Sequence, residues 1–401
     1  MAAPLTSEVV SEVEALLGFS RPEEVAGDDK SRGLKRAITR AIDTDFSQQF
    51  EYQRCKVRDL SAPGQSPSKF RSMGFEAINF AGAEPLQTLL AELNKAGEIS
   101  PLQAKQLRKS LRGSVFPMAE GRCLKMLQIA PEGLIMRTAG PNGLKLDPDA
   151  EMSEMNGHDA ALAIHGDQDV RGTPLKQIMR GFAPWIFRHQ TPDGSNYVSP
   201  VVLVNLWIPL QQITRPLTLM DRSTLRSTEH QLRYALPTDS FLDREKDTSV
   251  NDIWSFLHDD AQRWYFHSDM SHDQAYIFDT LGEPHGSFIL PGEDVAEFYY
   301  LQLRKVRNAV CRGELQKRPA FLARDLPVDT TAPLRKAIHN MAGLLASVPV
   351  EHMERAAVNS WLARSELAMD AVVRRSLEMR VVALWLPNMW PFNRAHSSEG
   401  N

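Results

Sequence analysis

Three cysteines in 401 residues, Cys55, Cys123 and Cys311, lie far apart and are odd in number. That excludes a disulfide framework and a cysteine-based zinc site, so any metal must use histidine and carboxylate ligands. Phosphate-cradling loops are missing too. Neither Gly-x-Gly-x-x-Gly nor a Walker-type lysine loop occurs, which leaves nucleotide binding without support. A serine hydrolase should carry Gly-x-Ser-x-Gly and a zinc hydrolase His-Glu-x-x-His; both are absent. No uninterrupted apolar stretch reaches the ~18 residues of a membrane span. The opening Met-Ala-Ala-Pro-Leu-Thr-Ser-Glu lacks the charged and apolar regions of a signal peptide, so a cytoplasmic protein is expected. A net charge of −4 gives no global basic footprint, and neither nucleic acid nor a membrane is expected as a partner.

With 42% hydrophobic residues, the chain can bury a large core in two or three structural units. Residues 1–115 read as a helical flank. Helices are predicted at Glu8 to Phe19 and at Ser31 to Phe46, where Leu34, Ile38, Ile42 and Phe46 share a face. Another starts at Ser100-Pro101 and runs through Leu102 to Leu111, stopped by Gly113. Between 116 and 310 the texture changes to short apolar runs cut by turns. Strands are predicted at Leu124 to Ile129, Leu134 to Met136, Val201 to Pro209, Leu217 to Met220, Tyr276 to Asp279, Phe288 to Leu290 and Glu297 to Leu303, with a helix at Pro174 to Phe187. Many short strands imply an antiparallel barrel or jelly roll. Residues 311–401 read as helical again: Pro333 to Ser347, then Val350 to Leu386 without proline or glycine. The apolar stripe of this last segment, with Trp361, Leu362, Leu367 and Val372, is expected to pack on the barrel or to form a homo-oligomer. The class is α+β overall, a mainly β core between helical flanks.

The stretch ALAIHGDQD, residues 161–169, delivers His165 and Asp167 at the end of a predicted strand. Residues two apart on a strand point to one face, so both can reach one ion while a third ligand returns from a distant strand. Two histidines and one carboxylate on one face of an octahedral iron(II) leave three positions open. His258-x-Asp260 and His267-x-Asp269 have the same form, but the first sits in predicted helix or loop and the second has little chain after it. His165, Asp167 and His285 fit best. On the residues alone, that reading stands beside ordinary satisfied histidines and other metal sites.

Two longer stretches add a resemblance. Residues 204–221, VNLWIPLQQITRPLTLMD, and 263–288, RWYFHSDMSHDQAYIFDTLGEPHGSF, resemble the CmcJ/AsaB-type family of hydroxylases and desaturases. The likeness rests on Asn205, Trp207, Pro209, the run from Pro216 to Asp221, Arg263-Trp264-Tyr265, Ser268-Asp269-Met270 and Pro284-His285 before Phe288. It spans roughly residues 120–305 and implies a double-stranded β-helix, with His165, Asp167 and His285 as catalytic iron(II) ligands. It further implies 2-oxoglutarate and dioxygen as co-substrates and a small natural-product intermediate to be hydroxylated, desaturated or cyclised. Trp207, Trp264, Tyr265 and Phe288 become expected pocket walls, and His267 an expected substrate contact. Asp221 and Asp269 are expected to brace loops. Where relatives carry an arginine for the far carboxylate of 2-oxoglutarate, this chain has Tyr299. Arg263, with Tyr299 and Ser287, is then expected to bind the co-substrate. One alternative, allowed by the missing arginine, is an iron oxygenase that takes its electrons from the substrate and needs no keto acid; another is a non-catalytic member whose long C-terminal helix makes it a binding or assembly subunit.

Overall fold

In the stretch VVLVNLWIPL, side chains alternate between two environments. Val202, Val204, Leu206, Ile208 and Leu210 pack against Leu86, Leu90, Leu93 and Leu107 of the helices Glu84–Ala96 and Pro101–Leu111. Asn205 and Trp207 turn to the opposite face. Trp207 there meets Leu217, Leu219, Tyr265, Tyr276 and Phe278, the packed interior between two sheets. The strand Val201–Gln212 is thus covered on both sides, which is why it is almost continuously apolar.

The computed structural model describes residues 10–22, 34–36, 50–79, 84–147, 155–157, 161–170, 185–191, 194–237, 250–314, 320, 323–349 and 354–388. Eight of its strands wind as a jelly roll. In chain order they are Arg122–Ala139, His165–Gly166, Val201–Gln212, Leu217–Met220, Trp264–Phe266, Gln274–Asp279, His285–Ser287 and Arg374–Pro387. The first, eighth, third and sixth lie side by side in one sheet; the second, seventh, fourth and fifth form the other. Every neighbouring pair is antiparallel. The chain therefore crosses repeatedly between facing sheets, as the double-stranded β-helix expectation requires. The second sheet is widened on one edge by Glu12–Ser20 and Phe50–Asp59, and on the other by Val250–Phe256 and Gln231–Pro237. Three helices, Glu293–Cys311, Ala332–Ala346 and Arg355–Asp370, cover its outer face, burying Trp254, Trp264 and Phe288. Among the described residues no helix is long and apolar enough to cross a membrane.

Several local expectations are met. Ser100 caps its helix, accepting from the Gln103 N–H at 3.3 Å while the Gln103 side chain accepts from the Ser100 N–H at 3.0 Å. The helix Ala332–Ala346 and the strand Leu217–Met220 also lie where the sequence puts them.

Other expectations are corrected. Glu8 to Phe19 is not a helix in its described part: Glu12–Ser20 is a strand, with Val13, Ala15, Leu17 and Phe19 buried at a period of two. Within Ser31 to Phe46, only 34–36 are described, as the strand Leu34–Arg36. The helix expected from Pro174 lies outside the described residues except near Phe187, which makes a bridge to Val201. Phe288 to Leu290 lies beyond the seventh strand, which ends at Ser287. Glu297 to Leu303 is inside the helix Glu293–Cys311, where Val295, Ala296, Tyr299, Leu303 and Val306 are buried at helical spacing. The largest difference is at Val350 to Leu386. Its first part is the helix Arg355–Asp370, but Arg374–Pro387 is the eighth strand of the roll. Leu377, Met379, Val381, Ala383 and Trp385 alternate into the core, a period of two that the lack of proline and glycine obscured.

Candidate metal centre

His165 and His285 are register partners on the second and seventh strands, their ring centroids 4.5 Å apart. Pairing continues through Ser287, whose N–H donates to the Ala161 carbonyl at 2.7 Å. Gly286, which lacks a side chain, eases this close approach of the seventh strand. A Cβ there would stand 3.0 Å from Ile164 Cδ1 and 3.2 Å from the Ala163 oxygen. Each imidazole is oriented by the carbonyl two residues before it: His165 Nδ1 lies 2.8 Å from the Ala163 oxygen, and His285 Nδ1 lies 2.9 Å from that of Glu283. A ring nitrogen that bonds a carbonyl must carry the proton, which leaves Nε2 as the lone-pair nitrogen on each ring.

Asp167 closes the set. Its Oδ1 is 3.5 Å from His165 Nε2 and its Oδ2 is 3.7 Å from His285 Nε2. One ligand atom from each of the three residues lies within 4.8 Å of the others. Asn205, from the inner face of the third strand, donates its amide N–H to Asp167 Oδ2 and accepts from Thr280 Oγ1 at 3.0 Å. Arg380 Nη2 stands 3.6 Å from Asp167 Oδ1. Burial works against the Asp167 charge, but His285, Arg380 and His165 together hold its carboxyl well below the usual range. Burial pushes His285 down to about 4, so its imidazole is neutral at physiological pH. At His165 burial also opposes protonation; the Asp167 hydrogen bond and charge outweigh it and raise the pKa. Two imidazole nitrogens and one ionised oxygen thus converge, the donor set of a facial triad.

The eighth strand supplies what the sequence reading missed. Arg374, Ser376, Glu378 and Arg380 share its inner face, alternating with the core residues Leu377 and Met379. Arg374 is 2% exposed. Its Nη1 donates to Ser287 Oγ and its Nη2 to Ser376 Oγ, both at 3.1 Å, and its guanidinium lies 5.7 Å from the centroid of the Trp207 ring. Its buried Nε has no hydrogen-bond partner among the described residues. Burial, reinforced by Arg137 and Arg215, lowers the Arg374 pKa to about 9, so the group remains a cation at neutral pH. Reading Val350 to Leu386 as helix passes over this arginine. The signal that would have found it is the alternation of Leu377, Met379, Val381, Ala383 and Trp385, which puts even-numbered residues on the opposite face.

The remaining predicted site residues separate into two groups. Trp207, Tyr265 and Ser287 face the interior between the sheets, and His267 reaches it by a 2.6 Å hydrogen bond between Nδ1 and the Tyr276 hydroxyl. Burial lowers the His267 pKa to about 4. Trp264 and Phe288 face outward, packed under the covering helices. Arg263 does not reach the interior: its half-exposed side chain lies 3.4 Å from Asp221. Tyr299 is buried under the outer helices, where its hydroxyl accepts from the Arg324 N–H at 3.2 Å. The roles expected for Trp264, Phe288, Arg263 and Tyr299 at the site do not agree with these positions. Asp221 caps the turn Arg222–Thr224 by accepting from the Ser223 N–H, the bracing role expected of it.

A family model described as an oxidoreductase/YMDC permease-like domain matches residues 160–288, a span that contains all three converging residues. Among solved structures, the chain is similar to an iron and alpha-ketoglutarate-dependent endoperoxidase NvfI at 14% identity, over 93% of this chain and 98% of that one, with a TM-score of 0.45. It is also similar to the same enzyme with a different conformation at 12% identity, over 93% and 98%, with a TM-score of 0.48. No curated protein matches.

Proposed function

We propose that this chain is a mononuclear iron(II), 2-oxoglutarate-dependent oxygenase acting on a small molecule. The observation that carries the reading is the pairing of two features inside one roll: the convergent His165, Asp167 and His285, and the buried Arg374 cation beside them on Ser287. His165 Nε2, His285 Nε2 and one Asp167 oxygen would hold the iron. Asn205 and Arg380 keep the carboxylate oriented by occupying its oxygens. Arg374 would receive the far carboxylate of 2-oxoglutarate, with the hydroxyls of Ser287 and Ser376 as further donors. The fit test is its orphaned Nε: a buried guanidinium with an unpaired N–H costs stability unless an anion meets it. When bound together, iron(II), 2-oxoglutarate and dioxygen supply oxidation of a C–H bond, with succinate and carbon dioxide as co-products.

The packed interior provides the other requirement, exclusion of water. Trp207 and Tyr265 pack in the cluster whose Phe278 ring lies 4.6 Å from the His285 ring and would wall a substrate there, with the His267–Tyr276 pair as a polar contact. Arg374 also weakens the case for a keto-acid-independent oxidase, which rested on the absence of an arginine from the helix position of Tyr299. An assembly subunit would have no need of the orphaned cation. The test is succinate formation from 2-oxoglutarate by the iron-loaded protein. An Arg374→Met protein should keep its iron but need far more 2-oxoglutarate, whereas Arg263→Ala should behave as the parent. Equal dependence of both variants on 2-oxoglutarate would refute the assignment of Arg374.

A further inference from the structure

A concave site opens outside the His165, Asp167 and His285 cluster. A cavity of about 220 Å³ opens where the helix Phe70–Met73, the segment from Arg188 to Gln190 and the turn Arg222–Thr224 meet. It shares no lining residue with the metal centre. Arg71, Arg188 and Arg222 all line it, and among its described lining residues Asp279 is the one acidic side chain. Asp279 is already committed to Arg222, 2.5 Å away. Among the described residues, no carboxylate lies within ion-pair distance of Arg71 or Arg188.

Arg188 donates one N–H to the Tyr197 carbonyl, and its guanidinium lies 5.7 Å from the centroid of the Tyr197 ring. Partial burial, then repulsion from Arg71 and Arg222, lower its pKa, and Asp279 only partly offsets them. Gln190 on the same wall brings a neutral donor, whereas the Ser223 hydroxyl is spent on Asp221 at 2.6 Å. Two guanidinium groups with no carboxylate ion pair among the described residues, and a neutral donor beside them, favour an anionic occupant. Size limits the choice further. The cavity is smaller than the ~300 Å³ at which pockets for drug-sized ligands begin, so it suits one compact charged group rather than a whole extended substrate.

We propose that this cavity binds the oxyanion group of a small molecule, a phosphate or a carboxylate, through Arg71 and Arg188. The place has a consequence for the metal centre. Asp279 ends the sixth strand and His285 begins the seventh, so an occupant borders the short connection that carries an iron ligand.

Calorimetric titration of the full, metal-free chain at low ionic strength tests the proposal, with inorganic phosphate and acetate as separate probes. Saturable binding of phosphate assigns a phosphate ester, and saturable binding of acetate alone assigns a carboxylate. Arg188→Gln and Arg71→Gln should each weaken the bound anion by about tenfold or more. Arg374→Gln should leave it unchanged, which separates this cavity from the proposed 2-oxoglutarate position. Circular dichroism checks the fold of each variant, and Arg71 is exposed enough that its replacement leaves the core intact. Absence of saturable binding for both anions, binding that survives both substitutions, or binding lost with Arg374→Gln would overturn the proposal.

Discussion

At the scale of single residues, strand parity makes His165 and Asp167 legible in the sequence and leaves Arg374 hidden. The parity rule needs only a short strand, and ALAIHGD supplies one. His285 is singled out by its place late in the chain, where a returning strand can carry a third ligand, and the resemblance supports that choice. Arg374 disappears when its segment is read as helix, and Arg263, a surface residue, then stands as the nearest candidate cation. Removing a buried, hydrogen-bonded charge that pairs with a ligand costs about 2–5 kcal/mol. Arg374→Met should therefore weaken 2-oxoglutarate roughly thirty-fold or more, measured as its dissociation constant on the iron-loaded protein, with iron content unchanged. Asn205 makes a different prediction because it touches Asp167, a proposed iron ligand, and not Arg374. Asn205→Ala should lower iron affinity by about 10–100-fold while the far-ultraviolet circular dichroism stays as in the parent.

Elements are legible where one signal dominates. The capped helix Pro101–Leu111 and the strand Leu217–Met220 each carry their own boundaries in sequence. Helix and strand are confused where apolar residues satisfy both periods, as in Glu12–Ser20, or where lack of proline and glycine is taken as a sign of helix, as in Arg374–Pro387. The eighth strand lies hydrogen-bonded between the first and third, so its core face packs with both neighbours. Leu377→Ala should destabilise the protein by about 2–5 kcal/mol, read from a denaturant midpoint. Gly286→Ala acts through closeness, not cavity formation: its methyl group would press on Ala163 and Ile164 and disturb the pairing of His165 with His285. That variant should bind iron less tightly even where its melting temperature moves little.

For the whole molecule, the roll is assembled from distant parts of the chain. Its first seven strands lie between 122 and 287, the eighth starts at Arg374, and three helices intervene. The helices close back on the outer face of the second sheet, with Trp361 Nε1 donating to the Leu344 carbonyl at 3.0 Å. Of the apolar stripe read from the sequence, Trp361 and Val372 are covered by the chain itself and Leu362 is partly buried, while Leu367 stays 70% exposed. Deleting residues 374–401 should leave the first and third strands without their shared neighbour and give insoluble protein; a soluble, folded truncation would contradict the topology. The central claim is that the roll brings His285 to His165 and Asp167 so that the three hold one iron. The most direct measurement is iron content after anaerobic loading with iron(II) and removal of the excess. The account predicts about one iron per chain for the parent and for His258→Ala, and almost none for His165→Ala, Asp167→Ala or His285→Ala. Full iron occupancy in the His165→Ala protein would contradict it.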